Sequence, residues 1–287
     1  MSLIVGGAGV ATAMSPLVEG ALYADEVFAD GVSFTSRYKM SNAGQIQVPV
    51  NNHESILEPK VPGSDFTRNA YTNTLIDINC VNGFILSQDV PNYYQATMPI
   101  DVQGDAAIEA TKTIMEGRQG SGIGCLVNEG TVSEDTTALT KNNIRDIILN
   151  ERLSLRKRFA KADVVLARAE VYNLLLQAAG ASYTPIFNDE VQRTGRIGNW
   201  LGMTVIEANL LDGYDEVKYR DGVNVNTVDL SKVDFAIYDH SAFSIIDVLQ
   251  GIRIIDSEDF FGAKVQGELD TGYKVTRAAA VSIKKHS

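Results

Sequence analysis

The sequence predicts a mixed α+β fold, on three observations. Apolar residues recur at helical spacing in three separate stretches, residues 101–116, 142–161 and 170–179. From Gly195 onward, short β-favouring runs alternate with turn residues instead. These patterns follow one another without the regular strand–helix alternation of a doubly wound sheet. At 287 residues the chain can bury a substantial core, as one large or two modest domains.

Residues 1–37 hold small residues, one proline and few long helical signals. Val18 to Phe28 could form a short amphipathic helix with Leu22 and Val27 inward. Having so little core of its own, this arm is expected to be held by a neighbouring subunit. In residues 38–99, Gln45-Ile46-Gln47-Val48-Pro49-Val50 alternates polar and apolar, a strand signal. Asn51, Asn52, Pro59, Pro62 and Gly63 punctuate a turn-rich tip, and Thr72 to Val90 returns with Leu75, Ile76, Ile78, Val81, Phe84 and Ile85. The segment reads as a long hairpin. A ten-residue arm reaches roughly 33 Å, and an isolated hairpin is marginal in water. It needs a surface, either a neighbouring molecule or its own domain.

Asp101 opens a helix with Ala107, Ile108, Thr111, Ile114 and Met115 on one face and Asp105, Glu109, Lys112 and Glu116 outside. Gly117 is placed to stop it, and Gly117, Gly120, Gly122 and Gly124 are expected to form a loop. Asn142 and Asn143 cap a second helix whose core face is Ile144, Ile147, Ile148, Leu155 and Phe159. Its outer side is basic, with Lys141, Arg145, Arg152, Arg156, Lys157, Arg158 and Lys161, and suits either solvent or pairing between subunits. Asp163 to Leu166 reads as a short buried strand. Glu170 to Ala179 reads as a helix with Val171, Leu174, Leu175 and Ala178 inward, stopped by Gly180. Ser241 to Gln250 is the one short helix expected among the strands of the final third.

The net charge of −11 is uneven. Residues 1–140 carry 6 Lys and Arg against 16 Asp and Glu, whereas residues 141–287 carry 19 against 20. An acidic half argues against direct wrapping of nucleic acid, which needs clustered cations. It is compatible with enclosing nucleic acid that slides on a repelling wall, or simply with solubility. Cys80 and Cys125 are read as buried thiols in a reducing cytoplasm. No apolar run approaches the roughly 20 residues that span a bilayer. Leu3 to Met14 is apolar, but the first positive residue is Arg37, so the basic region of a signal peptide is missing and secretion is not expected.

No catalytic, cofactor or metal residue is assigned. Gly7-Ala8-Gly9 follows an apolar run, yet Thr12 stands where a dinucleotide fingerprint needs its third glycine and Pro16 interrupts the receiving helix. The Gly117–Gly124 stretch lacks the Gly-Lys-Ser/Thr ending of a phosphate loop. Asp239-His240-Ser241 holds three triad residue types in a row, and adjacent residues cannot form the relay. His53, His240 and His286 are scattered and give no metal-ligand spacing with the two cysteines.

The order of elements resembles the major capsid proteins of tailed bacteriophages, the Hong Kong 97-type shell fold. The resemblance is carried by Val164-Val165-Leu166-Ala167-Arg168-Ala169-Glu170-Val171-Tyr172 and Trp200-Leu201-Gly202-Met203-Thr204-Val205. It continues through Ile252 to Phe260, Val265 to Tyr273 and Ala278 to Ile283. It implies an N-terminal arm at 1–37 and an extended hairpin loop at 38–99. It further implies a spine helix and peripheral domain at 100–161, an axial domain at 162–250 and closing peripheral strands at 251–287. It also implies a non-enzymatic shell subunit that assembles as hexamers and pentamers around a phage DNA genome without sequence-specific binding, in the virion, after assembly in the host cytoplasm. Portal and decoration proteins are implied partners, with a separate scaffolding protein or none, because no long charged helical extension precedes the arm. Lys60 and several Asn residues exist, but their spacing does not support a Lys–Asn cross-link. Two other readings remain: a nanocompartment shell of the same fold enclosing a cargo enzyme, and a dinucleotide-binding enzyme using Gly7 and Gly9.

Overall fold

A computed structural model gives the structure of the protein and describes residues 28, 45–51, 73–93, 101–181 and 198–286. The expectations for Gly7 and Gly9, for His53 and Lys60, and for the hairpin tip beyond Asn51 lie outside the described residues, as does the Val18–Phe28 helix except for Phe28 itself.

The alternating run near residue 45 forms β1 (Gln45–Asn51), antiparallel to β2 (Asn73–Asn79), with Ile46 opposite Ile78. Period-two alternation puts Ile46, Val48 and Ile78 on one buried face, where they meet Ile246. The base of the hairpin therefore packs on its own chain. β3 (Asn82–Pro91) leaves that hairpin and joins another sheet, so residues 38–99 are not one unit.

That second sheet is built from β11 (Phe243–Asp256), β12 (Gly262–Val275) and β3, with β12 in the middle. The short helix expected at Ser241–Gln250 is corrected here. Only one 3₁₀ turn, His240–Ala242, precedes β11, because Asp239 caps it and the β-favouring run Phe243-Ser244-Ile245-Ile246 then pairs with β12.

One face of this sheet rests on α1 (Val102–Glu129), whose first turn is capped by Asp101 accepting from Gly104 N at 3.1 Å. The helix does not stop at Gly117. It runs through the glycines to Glu129, about 42 Å at 1.5 Å per residue. The reason is packing on all sides: residues 118–127 are buried, and the absent side chains let neighbours approach closely. A Cβ at Gly117 would lie 3.0 Å from the Phe84 ring, and one at Gly124 would lie 2.7 Å from Val217. Val217 and Tyr219 belong to β8 (Glu216–Asp221), which pairs with β9 (Asn224–Asp229) across the turn at Gly222.

The main core surrounds a six-stranded mixed sheet. Its order is β4 (Thr131–Val132), β13 (Val281–Lys285), β10 (Val233–Tyr238), β5 (Val164–Ala167), β7 (Met203–Glu207) and β6 (Asn199–Trp200). β5 and β10 are buried along their whole length, as the apolar run at Asp163–Leu166 predicts. β13 pairs with β10 in this sheet, whereas β11 and β12 belong to the three-stranded one. β6 and β7 turn through Leu201 and Gly202, both at positive φ, which a two-residue hairpin of this twist requires.

α2 (Ile144–Lys157) buries Ile144, Ile147, Ile148 and Leu155 as its stripe predicts. Its Glu151 reaches β13, accepting from Ser282 Oγ at 2.6 Å and also from Ser133 Oγ. Asn143 holds the preceding loop rather than the helix, accepting from Thr140 N at 2.7 Å and donating to Ala138 O at 2.9 Å. Phe159 is not on the core face: it is wholly exposed at φ 61°. Phe159 N donates to Arg156 O and Ala160 N to Leu155 O, a Schellman stop that swings residue 159 outward. α3 (Ala169–Ala181) covers the helix expected at Glu170–Ala179.

Candidate functional site

Among the described residues, those that invite an enzymatic reading do not come together as a catalytic set. Ser241 Oγ donates to Asp239 Oδ1 at 2.7 Å, and Ser241 N donates to the same oxygen at 2.9 Å. The hydroxyl is thus spent on capping a turn. His240 Nδ1 instead lies 2.8 Å from Asp163 Oδ2, a partner 77 residues away that no sequence motif marks. His286 pairs with Asp234 at 2.8 Å. Cys125 is fully buried, and burial, with Glu129 adding to it, pushes its thiol well above the ordinary cysteine range. Cys80 is raised too, by partial burial and then by Asp247 and Asp270, so both sulfurs are poor nucleophiles. The stretch Gly117–Gly124 is helical and buried, which removes the phosphate-loop option there.

What the described residues offer outward is apolar and extended. Ile85, Phe159, Val223 and Phe261 are each more than four-fifths exposed. They sit on four separate elements: the open face of β3, the end of α2, the β8–β9 turn, and the β11–β12 turn. β11 is also an edge strand, and its Gly251 to Asp256 stretch, including Ile252, Ile254 and Ile255, is exposed. A long apolar edge in this state is a template for another chain unless something covers it. The basic outer side of α2 adds exposed Arg145, Arg156 and Lys157, with Lys161 just beyond. No helix among the described residues is long and apolar enough to cross a membrane.

This scaffold is rigidly braced. Arg118 is buried on α1 and binds Asp247 of β11 through two contacts of 2.9 Å, a bidentate pair. Tyr273 OH donates to Arg118 O at 2.8 Å. Lys274 bridges Glu129 at 2.9 Å and Asp221 at 2.8 Å, joining β12 to the end of α1 and to β8.

No protein-family model matches the chain, and no curated protein matches it. Solved structures do match, along nearly the whole length. The capsid structure of the cyanophage P-SCSP1u matches with a TM-score of 0.71 at 12% identity, covering 96% of this chain and 92% of that one. A Mycobacterium phage Che8 structure matches with a TM-score of 0.68 at 17% identity, covering 94% and 95%. The capsid of an empty GTA particle matches with a TM-score of 0.69 at 11% identity, covering 99% and 98%. The chain therefore has the mixed helix-and-sheet fold of phage capsid structures, as the order of its elements leads one to expect.

Proposed function

We propose that this chain is the major capsid protein of a tailed bacteriophage, a Hong Kong 97-type subunit that tiles an icosahedral shell around a DNA genome. The observation that carries the proposal is the whole-chain likeness to capsid structures, with 92–98% of those chains matched in the two cases named as capsids. The exposed apolar edge of β11 and the outlying Phe159, Val223 and Phe261 support it, since each is a surface that a neighbouring copy would cover. In this reading α1 is the spine helix, the β3–β12–β11 sheet belongs to the peripheral region, and the six-stranded sheet forms the axial domain with β13 included. Residues 1–37 act as an arm and the β1–β2 ribbon as the base of an extended loop. Hexamers and pentamers of one chain form by many modest contacts repeated under symmetry. The role is structural, without sequence-specific DNA contacts, and its place is the virion. The matched structures reported above are of phage and GTA particles, so a nanocompartment shell is the less favoured reading.

Negative-stain microscopy of the purified chain tests this. Closed particles or free hexamers and pentamers are the expected products. A chain that stays monomeric at high concentration, in the presence of a scaffold from the same genome, overturns the proposal.

A further inference from the structure

Asp163, Asp239 and His240 stand where three segments meet. The connector after α2 enters β5 at Asp163, β10 ends just before Asp239, and His240 opens the turn into β11. One ligand atom from each lies within 4.8 Å of the other two, with His240 Nδ1 at 2.8 Å from Asp163 Oδ2 and 3.8 Å from Asp239 Oδ1. Ligand atoms bound about 2.1 Å from one ion stand roughly 3 to 3.5 Å apart, so small side-chain rotations bring these three to that spacing.

The backbone holds them in place. Asp163 N donates to Tyr238 O at 3.1 Å, Thr204 N donates to Asp163 O at 2.7 Å, and Asp239 N donates to Ala280 O at 3.1 Å. A carboxylate has about four lone-pair sites. Asp239 Oδ1 accepts from Ser241 N and Ser241 Oγ, and Oδ2 accepts from Lys161 N, so the remaining site is on Oδ2. One imidazole nitrogen thus faces two carboxylates. All three side chains are partly open to solvent, which leaves room for an ion to enter and to keep water ligands.

We infer that Asp163, Asp239 and His240 form a site for one divalent cation of the Zn²⁺ or Mn²⁺ type per chain. An imidazole nitrogen beside two carboxylate oxygens suits such borderline ions, whereas Ca²⁺ and Mg²⁺ take oxygen-only shells. The ion replaces the His240–Asp163 hydrogen bond and ties the connector behind Phe159 to the β10–β11 turn. The inference rests on these residues alone and does not depend on the capsid reading.

Calorimetric titration of the full chain with ZnCl₂ tests it, with Co²⁺ absorption as a second readout of nitrogen and oxygen ligation. One ion per chain is expected. His240→Ala and Asp163→Asn should each weaken binding about tenfold or more, while His286→Ala leaves it unchanged. Far-UV circular dichroism and the thermal midpoint without metal establish that the variants are folded. Absence of saturable binding overturns the site. So does binding that survives both substitutions, binding lost with His286, or Ca²⁺ binding as tight as Zn²⁺.

Discussion

Phe28 lies directly against Gly122. A Cβ on Gly122 would come 2.9 Å from Phe28 Cε2 and 3.3 Å from Tyr273 Cε1. The Phe28 ring is buried and stands 5.3 Å from the ring of Phe243, so one aromatic from the first part of the chain is clasped between the long helix and the root of β11.

Gly122→Val forces that cluster apart. Overpacking costs about 1–3 kcal/mol, against a gain in helix propensity of less than about 1 kcal/mol. A net loss of stability is expected, read as a lower urea midpoint of the unassembled chain with unchanged slope. A midpoint equal to that of the native chain would show that Phe28 does not occupy this seat.

Lys274 makes a pH-dependent bridge. Burial disfavours its charge, but the hydrogen bonds to Asp221 and Glu129 outweigh that and hold its pKa above the ordinary lysine value. A folded-state pKa raised above the unfolded one gives stability that is complete below the unfolded value of about 10.4 and is lost as pH rises through the folded value. The native chain should therefore gain constant support from this bridge between pH 5 and 9. Lys274→Met leaves two carboxylates facing each other and costs about 1–3 kcal/mol at neutral pH, less than for a fully buried pair because Asp221 keeps contact with water. Denaturation midpoints of both chains across pH 5–9 check this: the deficit should hold over that range, and a variant as stable as the native chain contradicts it.

Phe159 is a bulky side chain held in a left-handed backbone conformation, and none of the described residues covers it. In Phe159→Gly, relief of about 1–2 kcal/mol of backbone strain is about half offset by about 0.5–1 kcal/mol of added chain entropy. Subunit stability should rise by about 0.5–1 kcal/mol, while particle yield drops because the ring no longer docks on a neighbouring copy. Thermal melting of the free chain and particle counts by negative stain separate the two effects. Undiminished assembly of this variant would falsify the docking role of the ring.

Much of the fold could be read from local pattern. The Ile144–Leu155 stripe, the Gln45–Val50 alternation and the apolar Val164–Ala167 run each bury the face their period dictates. What escaped the sequence depends on partners far along the chain. Gly117 and Gly124 look like a helix stop until Phe84 and Val217 are seen pressed against them. Phe159 keeps the helical period, yet the Schellman turn of the preceding residues points it to solvent. Asp163 and His240 carry no shared motif, and only the pairing of β5 with β10 makes them neighbours. The exposed extremities were similarly invisible, because exposure of an apolar residue is decided by what fails to pack on it.

β11 and β12 pair across nearly their whole length, about 45 Å at roughly 3.4 Å per residue. One end is anchored in the main core at Phe243, and the other ends in open water at Phe261. The pairing slips by one residue between Asp247 and Leu249, and Asp247 is the residue gripped by Arg118. The far half of β12 is also paired with β3, so the turn at Phe261 is carried outward on a three-stranded sheet and not on a free hairpin. A load applied at that turn is therefore passed inward along the strands to the grip of Arg118 on Asp247, and from there to the long helix.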